Sequence, residues 1–333
     1  MKAIKTILLV AIMVSASTLV YAQEETDAIN SYNEALSLAQ NKDFKSAIDK
    51  FGEAIELAES IGNTDIASRS RTQIPKLYYQ KAAKAFKDFK SSPSISNLDI
   101  TISEFKESQA KGNQYSDSDI SNRSKGVLAQ LYFQKGSLLY KKEDFVGADV
   151  ALNEAITINA NYAKAYYQKG LVSKNLNQND IETMLSWFDR AIAVGEQVND
   201  ADIVRLSNKK AHAELLYNGV QAIEQNQFSK ALEMLQRSLD YNNKSADSYY
   251  RLSELSNKQN NFDSAIEFGN KAIELEQGGS TDKAKIYFEI GFAQQMKDNI
   301  PEACSAFADA LYGSFKASSE HKMKFELKCE STK

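Results

Sequence analysis

Proline, cysteine and histidine are nearly missing from this 333-residue chain, which has three prolines, two cysteines, two histidines and one tryptophan. So little proline leaves room for long helices, and Pro75, Pro93 and Pro301 each read as a helix start, where a missing N–H costs nothing. No window alternates Val, Ile and Thr between Gly turns, which excludes strands. His212 and His321 lie far apart and read as surface residues, and no H-E-x-x-H or C-x-x-C spacing joins them or the cysteines into a metal site. G-x-x-x-x-G-K-S/T and G-x-S-x-G are also absent, excluding the usual phosphate loop and nucleophile elbow. Glu and Asp are plentiful but scattered, and nothing pairs them for acid–base work. The expectation is therefore a chain with no cofactor, no metal and no catalytic residues. Basic charge is not in excess either: 40 Lys and Arg stand against 44 Asp and Glu, net −4, which argues against a nucleic-acid partner.

Long apolar runs are confined to the N-terminus. Lys2 and Lys5 precede an apolar stretch from Ile7 to Val20, and Val20-Tyr21-Ala22 ends it with small residues before Gln23-Glu24-Glu25. That is the layout of a secretory signal peptide over residues 1–22, cleaved after Ala22, and the stretch is short for a retained span. Cleavage leaves 38 basic against 44 acidic residues, net −6, and no stable membrane span. The expected location is the periplasm or the exterior of a bacterial cell.

What the chain has in abundance is a repeat. A five-position signature, small residue, aromatic or aliphatic, Ala, Phe or aliphatic, small residue, returns seven times between Ala35 and Ala310. Its first copy is Ala35, Phe44, Ala47, Phe51, Ala54; the third is Gly136, Phe145, Ala148, Leu152, Ala155; the last is Gly291, Ile300, Ala303, Phe307, Ala310. The steps 3-4-3 after the second position put four side chains on one helix face. The first position sits on a preceding helix, where a short side chain admits a close neighbour. A second echo runs upstream of it: Leu77-Tyr78-Tyr79-Gln80-Lys81-Ala82, Leu131-Tyr132-Phe133-Gln134-Lys135-Gly136 and Ala165-Tyr166-Tyr167-Gln168-Lys169-Gly170.

These residues resemble the tetratricopeptide repeat, a 34-residue helix–turn–helix unit, over about residues 31–317. The resemblance implies an all-α fold, an α-α superhelix of about seven repeats: 31–64, 75–113, 129–164, 163–200, 212–245, 246–279 and 284–317. It departs at the family's terminal Pro, where Ala160, Asn243 and Gln277 stand. Lys81, Lys135 and Lys169 fill a usually apolar position, their stems expected to cover core while the ammonium groups reach water. Three junctions between signatures are 28 residues long (Ala54 to Ala82, Ser108 to Gly136, Ala191 to Gly219) against 15 for Ala155 to Gly170 and Ser238 to Ser253. Their extra length is expected to project as helical hairpins, with breaks near Asn63, Gln114 and Asp200. The two cysteines, Cys304 and Cys329, both fall near the end of an apparently exported chain; a disulfide fits them better than two buried thiols. It would pin a capping helix and tail at 318–333.

In this family the first helix of each repeat lines a concave groove. By that resemblance the groove positions here are Tyr79, Gln80, Phe133, Gln134, Tyr167, Gln168, Tyr217, Tyr250, Arg251 and Phe288. Aromatics interleaved with amides suit an extended peptide. The family's carboxylate clamp does not carry over, because Phe133 and Ser137, or Leu216 and Val220, occupy its positions. The expected function is a non-enzymatic scaffold binding another envelope protein or a peptide. The alternative is a glycan-binding or nutrient-uptake accessory, its aromatic ladder stacking on sugar rings.

Overall fold

The computed structural model describes residues 2–177 and 180–329, residues 2–20 by their backbone alone. Among the described residues there is no strand, and no helix is long and apolar enough to cross a membrane. The fold is all-α, in two compact units, Met1–Met184 and Leu185–Lys333. The first unit holds α1 (Lys2–Gln40), α2 (Phe44–Ser60), α3 (Thr64–Ser91), α4 (Ile95–Gln114), α5 (Ser118–Lys141), α6 (Phe145–Ile158) and α7 (Ala163–Leu176). Each helix packs on the next, and α1, α3, α5 and α7 also touch one another in that order. The second holds nearly all of α8 (Ile181–Gln197), then α9 (Ala201–Glu224), α10 (Phe228–Tyr241), α11 (Ala246–Lys258), α12 (Phe262–Leu275), α13 (Ser280–Met296), α14 (Ile300–Asp309) and α15 (Lys316–His321). There α9, α11 and α13 make the same second-neighbour contacts. Within each unit the odd helices thus form one layer of a solenoid.

The signature explains the packing. Its small first residue receives the bulky fourth residue of the next helix. A Cβ on Gly136 would stand 2.7 Å from Leu152 Cγ, and one on Gly291 would stand 3.0 Å from the Phe307 ring. Phe51, Phe105, Phe188 and Phe307 are accordingly fully buried, with Leu152 and Leu235 filling the same role. The helices approach at these points because one partner has no side chain to move aside.

One turn serves most of the chain. A residue with positive φ is followed by an N-cap at Lys42-Asp43, Gly62-Asn63, Ser116-Asp117, Glu143-Asp144 and Asn199-Asp200. In each, the N-cap backbone N–H donates five residues back, as Asp43 to Leu38 (3.0 Å) and Asn63 to Ala58 (2.8 Å). This satisfies an orphan carbonyl of the helix just ended. The cap side chain then accepts from the N–H three residues on, as Asn63 from Ile66 and Asp117 from Ile120.

The three long connections are such hairpins, with α2/α3, α4/α5 and α8/α9 meeting at Gly62, Ser116 and Asn199. They share a register as well. Sixteen residues after Ala54, Ser108 and Ala191 stand Ser70, Ser124 and Ser207, each fully buried. Ser124 hydrogen-bonds Ser108 at 2.9 Å, whereas the Ser70 and Ser207 hydroxyls have no partner.

Two expectations need correction. Pro75 does not start a helix: it lies buried inside α3, because the hairpin carries that helix back to Thr64. Its ring removes one backbone bond there, a loss that a 28-residue helix packed on both α2 and α4 absorbs. The Lys169 ammonium does not end in water either, and those of Lys81 and Lys135, on partly exposed side chains, are ion-paired. Lys81 meets Glu104 and Glu107, Lys135 meets Asp99 at 2.7 Å, and Lys169, only 3 % exposed, meets Asp149 and Asn153 at 2.6 Å. A carboxylate on the facing helix holds each charge, so the stem packs without stranding it.

The C-terminal segment departs from the single capping helix expected within 318–333. After α14 come a 3-10 turn (Gly313–Phe315), the short α15 and a π-turn (Lys322–Glu326). Phe315 packs on Phe288 of α13, and Gln295 of α13 donates to Glu326. The Cα atoms of Cys304 and Cys329 are 5.8 Å apart, with the Sγ atoms in bonding contact; residues 330–333 of the expected cap lie outside the described residues.

The serine register makes a paired prediction. Ser70→Ala should leave the urea midpoint unchanged or raise stability by up to about 1 kcal/mol, since it removes an unpaired buried hydroxyl from a helix. Ser124→Ala should lower stability by about 1 kcal/mol, because Ser108 loses its partner. Equal effects would mean that the pairing does not matter.

Candidate functional site

In the first unit the expected groove residues lie on α3, α5 and α7, and most of their rings are already engaged. Tyr79 meets Phe105 edge-on at 5.8 Å and carries the Arg123 guanidinium 4.5 Å above its ring. Phe133 packs on Tyr162 at 5.1 Å. Gln80 is exposed, while Gln134, Tyr167 and Gln168 are half-buried. Ser137 of α5 donates to Gln168 of α7 at 3.4 Å, and Asn175 of α7 donates to Tyr140 of α5 at 3.3 Å. This face is a polar seam between neighbouring helices rather than a row of bare rings.

In the second unit the rings are split. Tyr217 is 61 % exposed, whereas Tyr250 is 7 % exposed. Tyr250 is also flanked by cations, with Arg251 4.8 Å and Lys285 5.0 Å from its centroid. Burial pushes its hydroxyl up to about 12. Phe288 is taken up by Phe307 at 5.5 Å and Phe315 at 5.3 Å.

On this face the groove positions Arg251 and Phe288 are joined by further polar residues. On α11, helical spacing aligns Asp247, Arg251, Glu254 and Asn257 with Lys258; on α13 it aligns Lys285, Phe288, Glu289 and Phe292. Lys285 pairs with Asp247 and Arg251 with Glu254, both at 2.7 Å. Asn257 is 6 % exposed, and its Nδ2 donates twice, to the Glu289 backbone oxygen at 2.9 Å and to Glu289 Oε2 at 2.8 Å. Its Oδ1 is buried and accepts from no protein group. The amide cannot be turned over, because Oδ1 would then face two acceptors. An unmet buried acceptor costs about 1–3 kcal/mol. Burial pushes the Glu289 carboxyl above its usual range, the Glu254 carboxylate adding to this and the Asn257 bond opposing it. These groups open on a cavity of ≈ 260 Å³ lined by Glu254, Asn257, Lys258, Phe288, Glu289 and Phe292.

A signal for this site is in the sequence. Six residues after the groove positions Gln80, Gln134, Gln168, Tyr217 and Arg251 stand Phe86, Tyr140, Lys174, Ile223 and Asn257. Asn257 is thus polar, as Lys174 is, at a position that Phe86, Tyr140 and Ile223 fill with large apolar or aromatic side chains.

Nothing gathers the histidines into chemistry. His212 is not a free surface group, since its Nδ1 lies 3.1 Å from the Ser238 carbonyl oxygen, while His321 is exposed beside Phe325. Among the described residues no three His, Cys, Asp or Glu side chains are placed to hold a metal.

Comparison with known proteins finds tetratricopeptide repeats in this chain: models of that repeat match residues 129–162 and 222–280. The TPR repeat-containing protein MJ1428 of Methanocaldococcus jannaschii is 28 % identical over 185 residues, which is 54 % of this chain and 26 % of that protein. The chain therefore spans about a quarter of that relative's length. Among solved structures, MamA is 21 % identical with a TM-score of 0.35, covering 60 % of this chain and 95 % of its own. YrrB, described as a TPR protein with an unusual peptide-binding site, is 18 % identical with a TM-score of 0.35, covering 59 % and 92 %. PilW, described as a type IV pilus biogenesis factor, is 14 % identical with a TM-score of 0.31, covering 74 % and 98 %.

The Glu289 environment fixes a pH dependence. A carboxyl whose folded pKa lies above its unfolded value of about 4.3 favours the fold fully below that value, and loses this contribution as pH rises through the folded value. Glu289→Gln should therefore melt at a higher temperature than the parent at pH 7, with the gap closing as pH falls towards 4. A gap that persists at low pH would place the cause elsewhere.

Proposed function

We propose that this chain is a non-enzymatic scaffold that binds a partner protein or peptide on its odd-numbered helices and works outside the cytoplasm of a bacterial cell. The observation that carries the binding reading is the α11/α13 face. There a buried amide oxygen and a desolvated carboxylate line a cavity instead of being sealed in the core. An unmet acceptor beside a cavity costs the free protein, and a bound chain segment can supply the donor. The glycan reading draws less support, because the rings a sugar would stack on are largely covered: Tyr79 by Phe105 and Arg123, Phe288 by Phe307 and Phe315.

The test is site-specific photo-crosslinking in whole cells. A photoreactive residue at Arg251, on the α11 face, should give one discrete adduct, whereas the same residue at the exposed Val146 of α6 should give none. Equal adduct patterns from both positions would defeat the binding reading.

Export is the second element of the proposal, and it rests on the layout of residues 1–22. Removal after Ala22 would take away Tyr21, whose hydroxyl bonds the Ile61 carbonyl, and keep Glu25, which accepts from Asn63 at the first hairpin tip. Mass spectrometry of the mature protein should find Gln23 at its N-terminus; an intact Met1 or Lys2 start would refute cleavage.

An oxidising compartment would let Cys304 and Cys329 form a stable staple, within the Cα range of disulfides at 5.8 Å. Closing a loop with a sequence separation of 25 residues is worth about 3 kcal/mol in the chain-entropy model. Cys329→Ser should lower the melting temperature and raise hydrogen exchange mainly in α13 to α15, since coupling in a repeat stack is to nearest neighbours. Two reactive thiols per chain under denaturing, non-reducing conditions would rule the staple out.

A further inference from the structure

We infer that the cavity between α11 and α13 is a subsite for one cationic side chain, a lysine ammonium or an arginine guanidinium, of the bound peptide. This rests on the peptide-binding reading and narrows it.

The chemistry of the lining sets the choice. Asn257 Oδ1 can only accept, and its Nδ2 is committed to Glu289. Glu289 takes one side-chain hydrogen bond through Oε2, which leaves Oε1 for a further donor. The carboxylate of Glu254 is already engaged by Arg251 at 2.7 Å, with Lys258 at 3.9 Å. With Arg251 and Lys258 both directed to Glu254, Glu289 is the lining carboxylate that has no ion-pair partner of its own. An anionic side chain would meet a desolvated carboxylate with no cation bonded to it; an apolar one would leave Oδ1 unmet. A cationic group offers several N–H donors at once, which suits an acceptor pair of this kind. Phe288 and Phe292 add aromatic walls, and Phe292 already has the Lys322 ammonium 5.6 Å from its centroid, showing a ring that tolerates a cation. The volume agrees too: ≈ 260 Å³ is far more than the roughly 30 Å³ share of a single water.

Lys258 is the internal competitor, because it lines the same cavity on a flexible stem. It reaches Glu254 rather than Asn257, and its side chain is 45 % exposed. A ligand cation can enter without displacing it.

The test uses fluorescein-labelled pools of degenerate dodecapeptides whose central residue is fixed as Lys, Arg, Glu or Leu, titrated against the full chain by fluorescence polarisation. The Lys and Arg pools should bind roughly tenfold tighter than the Leu and Glu pools. Glu289→Gln, which keeps side-chain shape, should erase most of that preference while leaving the Leu pool unchanged. Asn257→Leu should erase it too and keep the helical circular-dichroism spectrum. Glu196→Gln, at a hairpin tip and equal in charge change, should keep it. Equal binding of all four pools would overturn the cationic subsite and leave the peptide reading standing. A preference that survives Glu289→Gln, or that Glu196→Gln also abolishes, would trace it to the chain's overall acidity and overturn the subsite as well. No binding by any pool would remove both readings.

Discussion

The structure depends on one steric constraint, the fit of a bulky side chain against a residue that has almost none. Leu152 stands over Gly136, Leu235 over Gly219 and Phe307 over Gly291, each pair 16 residues apart in the chain. Such a contact fixes both the distance between two helices and the length of chain joining them. The connecting turn must then spend few residues and still satisfy the helix end it leaves. A positive-φ residue followed by an N-cap does this, and it recurs from Lys42-Asp43 to Asp298-Asn299. The turn is a consequence of the packing as much as a cause.

The same constraint accounts for the three long connections. Ala54, Ser108 and Ala191 are followed 16 residues later by Ser70, Ser124 and Ser207, small residues facing small residues. Two helices continued past the repeat core need no new rule. They keep the spacing, cap with Asn63, Asp117 or Asp200, and place an Ile three residues on. A Cβ on Gly112 would lie 2.7 Å from the Ser121 backbone nitrogen, so the tips pack as closely as the repeats do. They are built parts of the scaffold, not slack between units.

Legibility in the sequence follows from this. Helix positions and turn sites were readable because small and aromatic residues recur at fixed steps, and a steric rule leaves a periodic trace. The endings of Lys81, Lys135 and Lys169 were not readable. Their partners, Asp99, Asp149, Glu104 and Glu107, sit on facing helices at offsets that differ from case to case. Pro75 misled because a local rule for helix starts competes with a hairpin whose first turn lies eleven residues upstream. The groove register that gives Arg251 and Phe288 extends to Glu289 but does not reach Asn257. Glu289 occupies the register position that Gln80, Gln134, Gln168 and Arg251 fill in other repeats, and Asn257 occupies one whose character varies from Phe86 to Lys174.

That distinction bears on where function sits in a repeat protein. Positions that obey the pattern are occupied by the fold: Tyr79, Phe133 and Phe288 spend their ring faces on neighbours and have little left to offer a ligand. Positions that break it place a group where the fold has no partner for it. Asn257 presents an amide oxygen that nothing in the described chain meets, and Glu289 holds a carboxylate in a desolvated place. The Asn257 amide would be removed readily by an apolar substitution, as Phe86 and Ile223 illustrate at equivalent positions. The cost of the two groups falls on the free protein, and under the proposed binding role a ligand donor would relieve it, so that the groups that weaken the stack locally would also select what binds.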